Sequence, residues 1–370
     1  MHRGRSLWLF LTLVVAACLA ITGSSAAAAA KAGWTGERII SSPAIGKGWE
    51  PAVAADPSAP YVYAAWMQFP KPYIAVSVSA DGGGTWGTPK ALCTNCAKQG
   101  QYDVTLAVTS SGTVYATFMK QYDIMFARST DHGATWTAPL QVTNENKIYY
   151  YSNGGTVLPG GTAIMVGSEY PETGNSTKLT GPVPIAVFRS TNGGASWTRT
   201  VADTLYTGAT FASSSVTTVA SDASGTLALV YSGSLAVGAN GHVFVRRSTD
   251  SGLTWSARTE MSTSAGGADA TSVAAAGRGT GVFRITWMDA RTGAWNVWER
   301  ESADGGQTWT ADSLVSNATT GAPYKTATGF GFPYGDYDTV AINSAGKTVA
   351  VMGEGDATQA NGDIWANVQS

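Results

Sequence analysis

Carboxylates and aromatic side chains gather in short polar segments of this 370-residue chain. GKGWE carries Trp49 and Glu50, MQFPKPY carries Tyr73, AKQGQYD carries Asp103, and MKQYD carries Tyr122 and Asp123. SEYPETGNSTKLTGP holds Glu169 and Tyr170, and MDARTGAW holds Asp289, Arg291 and Trp295. GFGFPYGDYD holds Asp336, Tyr337 and Asp338, and GEGDATQANGD holds Glu354. Aromatic faces pack against the apolar face of a sugar ring, while carboxylates and amides bond its hydroxyl edge. Two such carboxylates across one mouth could also divide acid and base duties on a glycosidic bond. These residues act together only if the fold brings them to one surface.

The elements that would do so repeat. SADGGGTW, STDHGATW, STNGGASW, STDSGLTW and SADGGQTW share the frame Ser-x-Asp-x-Gly-x-Thr-Trp. Their third positions, Asp81, Asp131, Asn192, Asp250 and Asp304, are spaced by 50, 61, 58 and 54 residues. An Asp or Asn side chain there accepts backbone N–H bonds and closes a tight turn. Trp then starts the next strand and buries a large apolar face. A strand such as YIAVSV, DIMFAR, IAVFRS, HVFVRR or NVWERE precedes each turn, and a strand-turn-strand pattern precedes that. Each period therefore holds four strands and no convincing helix, which predicts an all-β protein built of β-propeller blades.

The ends of the repeat array set the expected count. YDTVAINSAGKTVAVMGEG gives the strand-turn-strand pattern a sixth time, and DIWANVQS matches DIMFARST. The missing fourth strand of that unit is supplied by WTGERIISS from Trp34, which matches WTAPLQVTN. The expectation is a six-bladed propeller of four-stranded antiparallel blades, closed by the N-terminal strand, which removes two exposed sheet edges. Seven blades is the alternative.

Composition narrows the partners. Charged residues are 13% of the chain and the formal net charge is -2, so nothing points to nucleic acid. Residues 1–30 read as a signal peptide: Arg3 and Arg5, an apolar run from Leu7 to Ile21, then small residues. The propeller is then expected over 31–370, and the protein is expected to be secreted. Val15-Ala16-Ala17-Cys18 loosely resembles a lipoprotein box, so lipid anchoring through Cys18 is the minor alternative. No later stretch is apolar enough to span a membrane. Cys93 and Cys96 in CTNC are expected to form a local disulfide in an oxidising compartment. No cofactor or metal site is called for, although the acids Asp336, Asp338, Asp356 and Asp363 could host calcium. Oligomeric state is not readable.

The repeated frame resembles the Asp box of bacterial neuraminidase repeat proteins, and residues 34–370 resemble the sialidase superfamily. The resemblance implies six blades, with the boxes structural and on the rim opposite the active site. It implies three arginines that clamp a substrate carboxylate, a tyrosine nucleophile activated by a glutamate, and an aspartate acid/base. Tyr337 before the first strand of the last blade and Glu354 at the end of its second carry over to the tyrosine and glutamate. Arg291, with neighbouring Asp289, is the arginine at a site-facing position. The family opens its first inner strand with Arg-Ile-Pro, where this chain has Trp49-Glu50-Pro51, an acid where the arginine belongs. MQFPKPY has no counterpart of the acid/base aspartate. Arg128, Arg189, Arg246, Arg247 and Arg300 lie on third strands and are expected between blades or in solvent.

Three readings follow. One is a secreted glycan-binding or ligand-binding propeller without sialidase chemistry, using Trp49, Glu50, Tyr73, Tyr122, Glu169, Tyr170, Trp295 and Asp338. A second is a glycoside hydrolase or lyase for another sugar. A third is an extracellular protein-interaction scaffold.

Overall fold

The computed structural model describes residues 33–42, 46, 48–68, 73–93, 100–109, 111–120, 123–141, 150–151, 154–169, 182–192, 196–208, 216–293, 295–316, 338–354 and 363–370. Among them there is no α-helix; the strands form four four-stranded sheets and one of nine strands, antiparallel throughout. The first sheet runs β2 (Gly48–Ala55), β3 (Val62–Gln68), β4 (Tyr73–Ser79) and β5 (Lys90–Ala91). The second repeats it with β6 (Gln101–Val108), β7 (Val114–Lys120), β8 (Asp123–Ser129) and β9 (Leu140–Gln141). In the third group β10 (Tyr150–Tyr151) and β11 (Gly155–Val157) both pair with β12 (Ala163–Glu169), followed by β13 (Pro182–Ser190) and β14 (Thr198–Tyr206). The fourth is β15 (Thr217–Ser221), β16 (Leu227–Ser234), β17 (Gly241–Ser248) and β18 (Thr259–Glu260). Pairing of Tyr206 with Ser234 joins these two groups into the nine-stranded sheet.

The fifth sheet is β19 (Ala270–Arg278), β20 (Val282–Asp289), β21 (Asn296–Ser302) and β22 (Ser313–Leu314). The sixth group takes β23 (Asp338–Ile342), β24 (Thr348–Glu354) and β25 (Asp363–Val368) from one end of the chain and β1 (Arg38–Ile39) from the other. Arg38 pairs with Ala366 and Ile39 with Trp365. Trp34 bridges to Gln369, and the Ser370 N–H donates to the Gly33 carbonyl at 2.8 Å.

First strands of successive groups pack in the order β11, β15, β19, β23, β2 and β6. The cores are the faces between consecutive sheets. Ala65, Ile74 and Val76 meet Val104, Ala116 and Phe118 between the first and second. Ile185 and Leu205 meet Leu229 and Tyr231 between the third and fourth, and Val230 and Val245 meet Ile285 and Trp287 between the fourth and fifth. Met288 and Val297 meet Ala350 and Met352, and Val349 and Ile364 meet Trp66 and Ala64. This arrangement explains why β3 (VYAAWMQ) and β16 (LALVYSGS) show no alternation of apolar and polar residues. Both faces of a second strand are covered, and every residue of these two strands is buried.

The repeated turns are held by the same bonds in each copy. In the first, the Ser79 hydroxyl donates to Asp81 Oδ1 at 2.7 Å and accepts the Gly83 N–H at 2.8 Å. Asp81 Oδ1 accepts the Thr85 N–H and Oδ2 the Thr85 hydroxyl, both at 2.7 Å. Asp131, Asp250 and Asp304 repeat the pattern. Asn192 does so with a reversed final bond, its Nδ2 donating to Ser196 Oγ at 2.8 Å. These bonds favour the charged form and hold the Asp131, Asp250 and Asp304 carboxyls down at about 2. Each serves its own turn.

Three of the third-strand arginines reach from one group to the next, as expected from sequence. Arg189 Nε donates to the Ser251 carbonyl at 2.9 Å, and Arg247 Nε to the Gly305 carbonyl at 2.6 Å. Arg246 crosses as well, to Asp203 of β14, whereas Arg300 pairs with Asp312, just before β22 of its own group.

Candidate functional site

Strand register defines the surface to search. Gly48 pairs with Gln68, Gln101 with Lys120, Ala270 with Asp289, and Glu354 with Asp363. First-strand starts, second-strand ends and third-strand starts thus share one rim. The Asp81, Asp131, Asn192, Asp250 and Asp304 turns follow the third strands, at the other end. Trp49, Glu50, Tyr73, Asp103, Glu169, Asp289, Arg291, Trp295, Asp338 and Glu354 all fall at the first rim or in its hairpins. Tyr122, Tyr170, Asp336, Tyr337, Asp356, Cys96 and residues 1–30 with Cys18 lie outside the described residues; Cys93 is disulfide-bonded.

Three first strands reach this rim through a β-bulge. The register shifts between Trp49 and Ala52, between Tyr102 and Thr105, and between Thr271 and Ala274. Each bulge holds one non-glycine residue in the left-handed region: Glu50 at φ 53°, Asp103 at 49° and Ser272 at 50°. That conformation costs about 1–3 kcal/mol per residue, so the surrounding structure must hold it. Part of the hold is visible: the buried Glu50 carboxylate accepts the Asp103 backbone N–H at 3.1 Å, tying the first bulge to the second. Glu50 is thus a link between sheets as well as an acid at the rim. Trp49 beside it is half-buried.

The fifth sheet contributes a charged chain. Asp289 is fully buried and accepts the Trp287 indole N–H at 2.9 Å. Arg291 Nε donates to the same carboxylate at 2.9 and 3.0 Å, and its Nη2 at 2.5 Å. Its other arm pairs with Asp312, which also accepts Arg300 Nε at 2.5 Å. The Arg291 guanidinium lies 4.0 Å over the Trp298 ring, and its side chain is 13% exposed. Asp312, Trp287 and Trp298 escaped the sequence reading, and Arg300, expected between blades or in solvent, joins this chain through Asp312. A usable signal was present: Trp-Met-Asp at 287–289 repeats Trp-Met-Gln at 66–68, where the Trp66 indole donates to Gln68 Oε1 at 3.0 Å.

The remaining candidates are dispersed. Glu169 pairs with Arg199, Nε to Oε1 at 2.5 Å. Tyr73 is half-buried against the core between the first and sixth sheets, and burial raises its phenol. Trp295 packs with Trp365 on the core between the fifth and sixth sheets. Asp338 opens β23 in that same interface, 5% exposed, facing Thr286 of β20. Neither carboxyl oxygen of Asp338 nor the Thr286 hydroxyl completes a hydrogen bond among the described residues. Burial pushes Asp338 up to about 7, with the Thr286 hydroxyl acting in the opposite sense. Among the described residues no group of three His, Cys, Asp or Glu is arranged to hold a metal, and no helix is long and apolar enough to cross a membrane.

No protein-family model and no curated protein matches the chain by sequence. Solved structures match its fold. A protein of unknown function from Dyadobacter fermentans aligns with TM-score 0.59 and 13% identity, over 90% of this chain and 97% of that one. The NanB sialidase of Streptococcus pneumoniae aligns with TM-score 0.55 and 10% identity, over 91% and 70%. An α-L-arabinanase of Penicillium chrysogenum aligns with TM-score 0.53 and 14% identity, over 91% and 98%. At the level of fold, the chain is similar to the sialidase-like β-propellers. At these identities the likeness speaks for fold alone.

Proposed function

We propose that the chain is a secreted, six-bladed sialidase-like propeller, closed by β1, that binds glycan at the rim of Trp49, Glu50 and Trp295 without sialidase chemistry. The observation that carries this reading is Arg291. It is the single arginine in the second-to-third-strand hairpins of the sequence, and its guanidinium is engaged by Asp289 and Asp312. A substrate carboxylate would have to displace both. Glycan-array binding, together with incubation with a fluorogenic sialoside, tests it. The expected result is glycan retention that weakens in Trp295→Ala and Tyr337→Phe, with no sialoside turnover. Robust turnover would overturn the non-catalytic part, and a blank array would favour the protein-interaction scaffold.

A second reading is a glycoside hydrolase for a different sugar, favoured by Asp338. A carboxyl raised to about 7 beside the rim has the proton affinity of a general acid. The likeness to an arabinanase fold makes arabino-oligosaccharides a sensible first substrate panel. Hydrolysis lost in Asp338→Asn would support this reading. An inert panel would count against it.

A further inference from the structure

Among the described residues, the interface between the fifth and sixth sheets buries acid oxygens that find no donor. From β20 come Arg284 and Thr286, from β21 Glu299 and Glu301, from β23 Asp338, from β24 Thr348, and from β25 Asp363. Arg284 pairs with Glu301 at 3.0 Å and donates to Thr348 Oγ1 at 3.2 Å. Arg278 of β19 reaches the Ile342 and Ser344 carbonyls, so it anchors backbone and neutralises none of the acids. Asp363 accepts the Ser41 hydroxyl at 3.1 Å. That leaves Asp338 and Glu299, 5% and 1% exposed, with three carboxyl oxygens that meet no donor among the described residues.

We propose that this interface is a proton-dependent latch: Asp338 and Glu299 hold the sixth sheet, with β1 attached, against the fifth only while they are neutral carboxylic acids. Burial raises both groups to about 7; at Glu299 the Thr348 hydroxyl and the Arg284 charge oppose the rise and Glu301 adds to it. An acid raised in the folded state binds its proton more tightly folded than unfolded. The stabilisation is complete below the ordinary carboxylate range, falls as pH rises from there, and is gone once pH has passed about 7. Ionisation would add two buried negative charges, Asp338 and Glu299, beside Glu301, with Arg284 already paired to Glu301, and buried unpaired charge is costly.

The test is thermal unfolding of the whole chain, without sugar, from about pH 5 to about pH 9. The wild type is expected to lose about 5 °C or more between about pH 5 and about pH 7 and to level off above that. Asp338→Asn and Glu299→Gln should each flatten that fall, and the double variant should abolish it. Infrared difference spectroscopy on the wild type gives a readout independent of any variant. It should show buried carboxylic-acid C=O absorption on the acid side that disappears on the alkaline side. A flat wild-type profile, an undiminished fall in the double variant, or absence of that absorption would overturn the latch. None of these outcomes depends on glycan binding.

Discussion

Glu50 of β2 and Asp103 of β6 stand in the same left-handed bulge position of adjacent sheets, and the carboxylate of the first accepts the backbone N–H of the second at 3.1 Å. Glu50→Ala removes a charge-assisted bond from a buried site and should cost about 1–3 kcal/mol in urea unfolding. Glu50→Gln keeps an acceptor and should cost less than half of that. Equal losses would mean that the negative charge, and not the bond, is what the bulge requires.

Arg291 offers a clean separation of two roles. Arg291 bridges Asp289 and Asp312; its loss leaves the buried Asp289 without its cation, while Asp312 keeps Arg300. Arg291→Ala should therefore destabilise the protein by about 3–5 kcal/mol. Arg291→Lys should recover only part, because an ammonium cannot serve both acids with a planar fork. Denaturation at neutral pH reads this directly. A substitution that abolishes ligand retention at unchanged stability would instead assign Arg291 to the ligand.

The third turn provides an internal control for acid sensitivity. Where four copies have Asp, this one has Asn192. Carboxyls lowered in the folded state, such as Asp131, Asp250 and Asp304 at about 2, stabilise above their ordinary range. That contribution is lost as pH falls toward 2. Asn192→Asp should leave neutral stability nearly unchanged and move the acid unfolding midpoint to higher pH. No movement in an acid titration followed by circular dichroism would argue that these turns stay folded whatever their charge.

Gly277 tests the close approach of the fourth and fifth sheets. A Cβ there would lie 2.3 Å from the Ser221 carbonyl oxygen, a backbone atom that cannot swing aside. Gly277→Ala should cost about 3 kcal/mol or more, or prevent folding at growth temperature. Soluble expression and melting temperature report it, with Gly160→Ala, which meets open space, as the control.

Much of the fold was legible because it repeats. Five turns of one frame, each ahead of a Trp, fix where third strands end, and the leftover pattern at each end of the chain foretold the pairing of β1 with β25. The serine that opens each frame is constant in all five, and its two-way hydroxyl bond explains why. The rim was less legible. Arg291 was readable as an arginine in a hairpin, but its engagement with Asp312 depends on the placement of two-residue β22. The bulges at Glu50 and Ser272 leave no mark, since Glu and Ser do not normally announce a left-handed backbone; Asp103 is of a type that enters it more readily, but nothing in its spacing singles it out. Asp338 read as one acid among several; only packing against Thr286 reveals it as a buried one.

The partnership of Arg38 with Ala366 also sets a timetable. As the chain leaves the ribosome, β1 is among the first strands made, and its partner is among the last. Until residue 366 arrives, β1 lacks the partner it has in the folded protein, and the contact it finally makes is highly non-local. The sixth sheet is then the last to be completed, and a chain interrupted before β25 would carry five assembled groups and two unpaired edges.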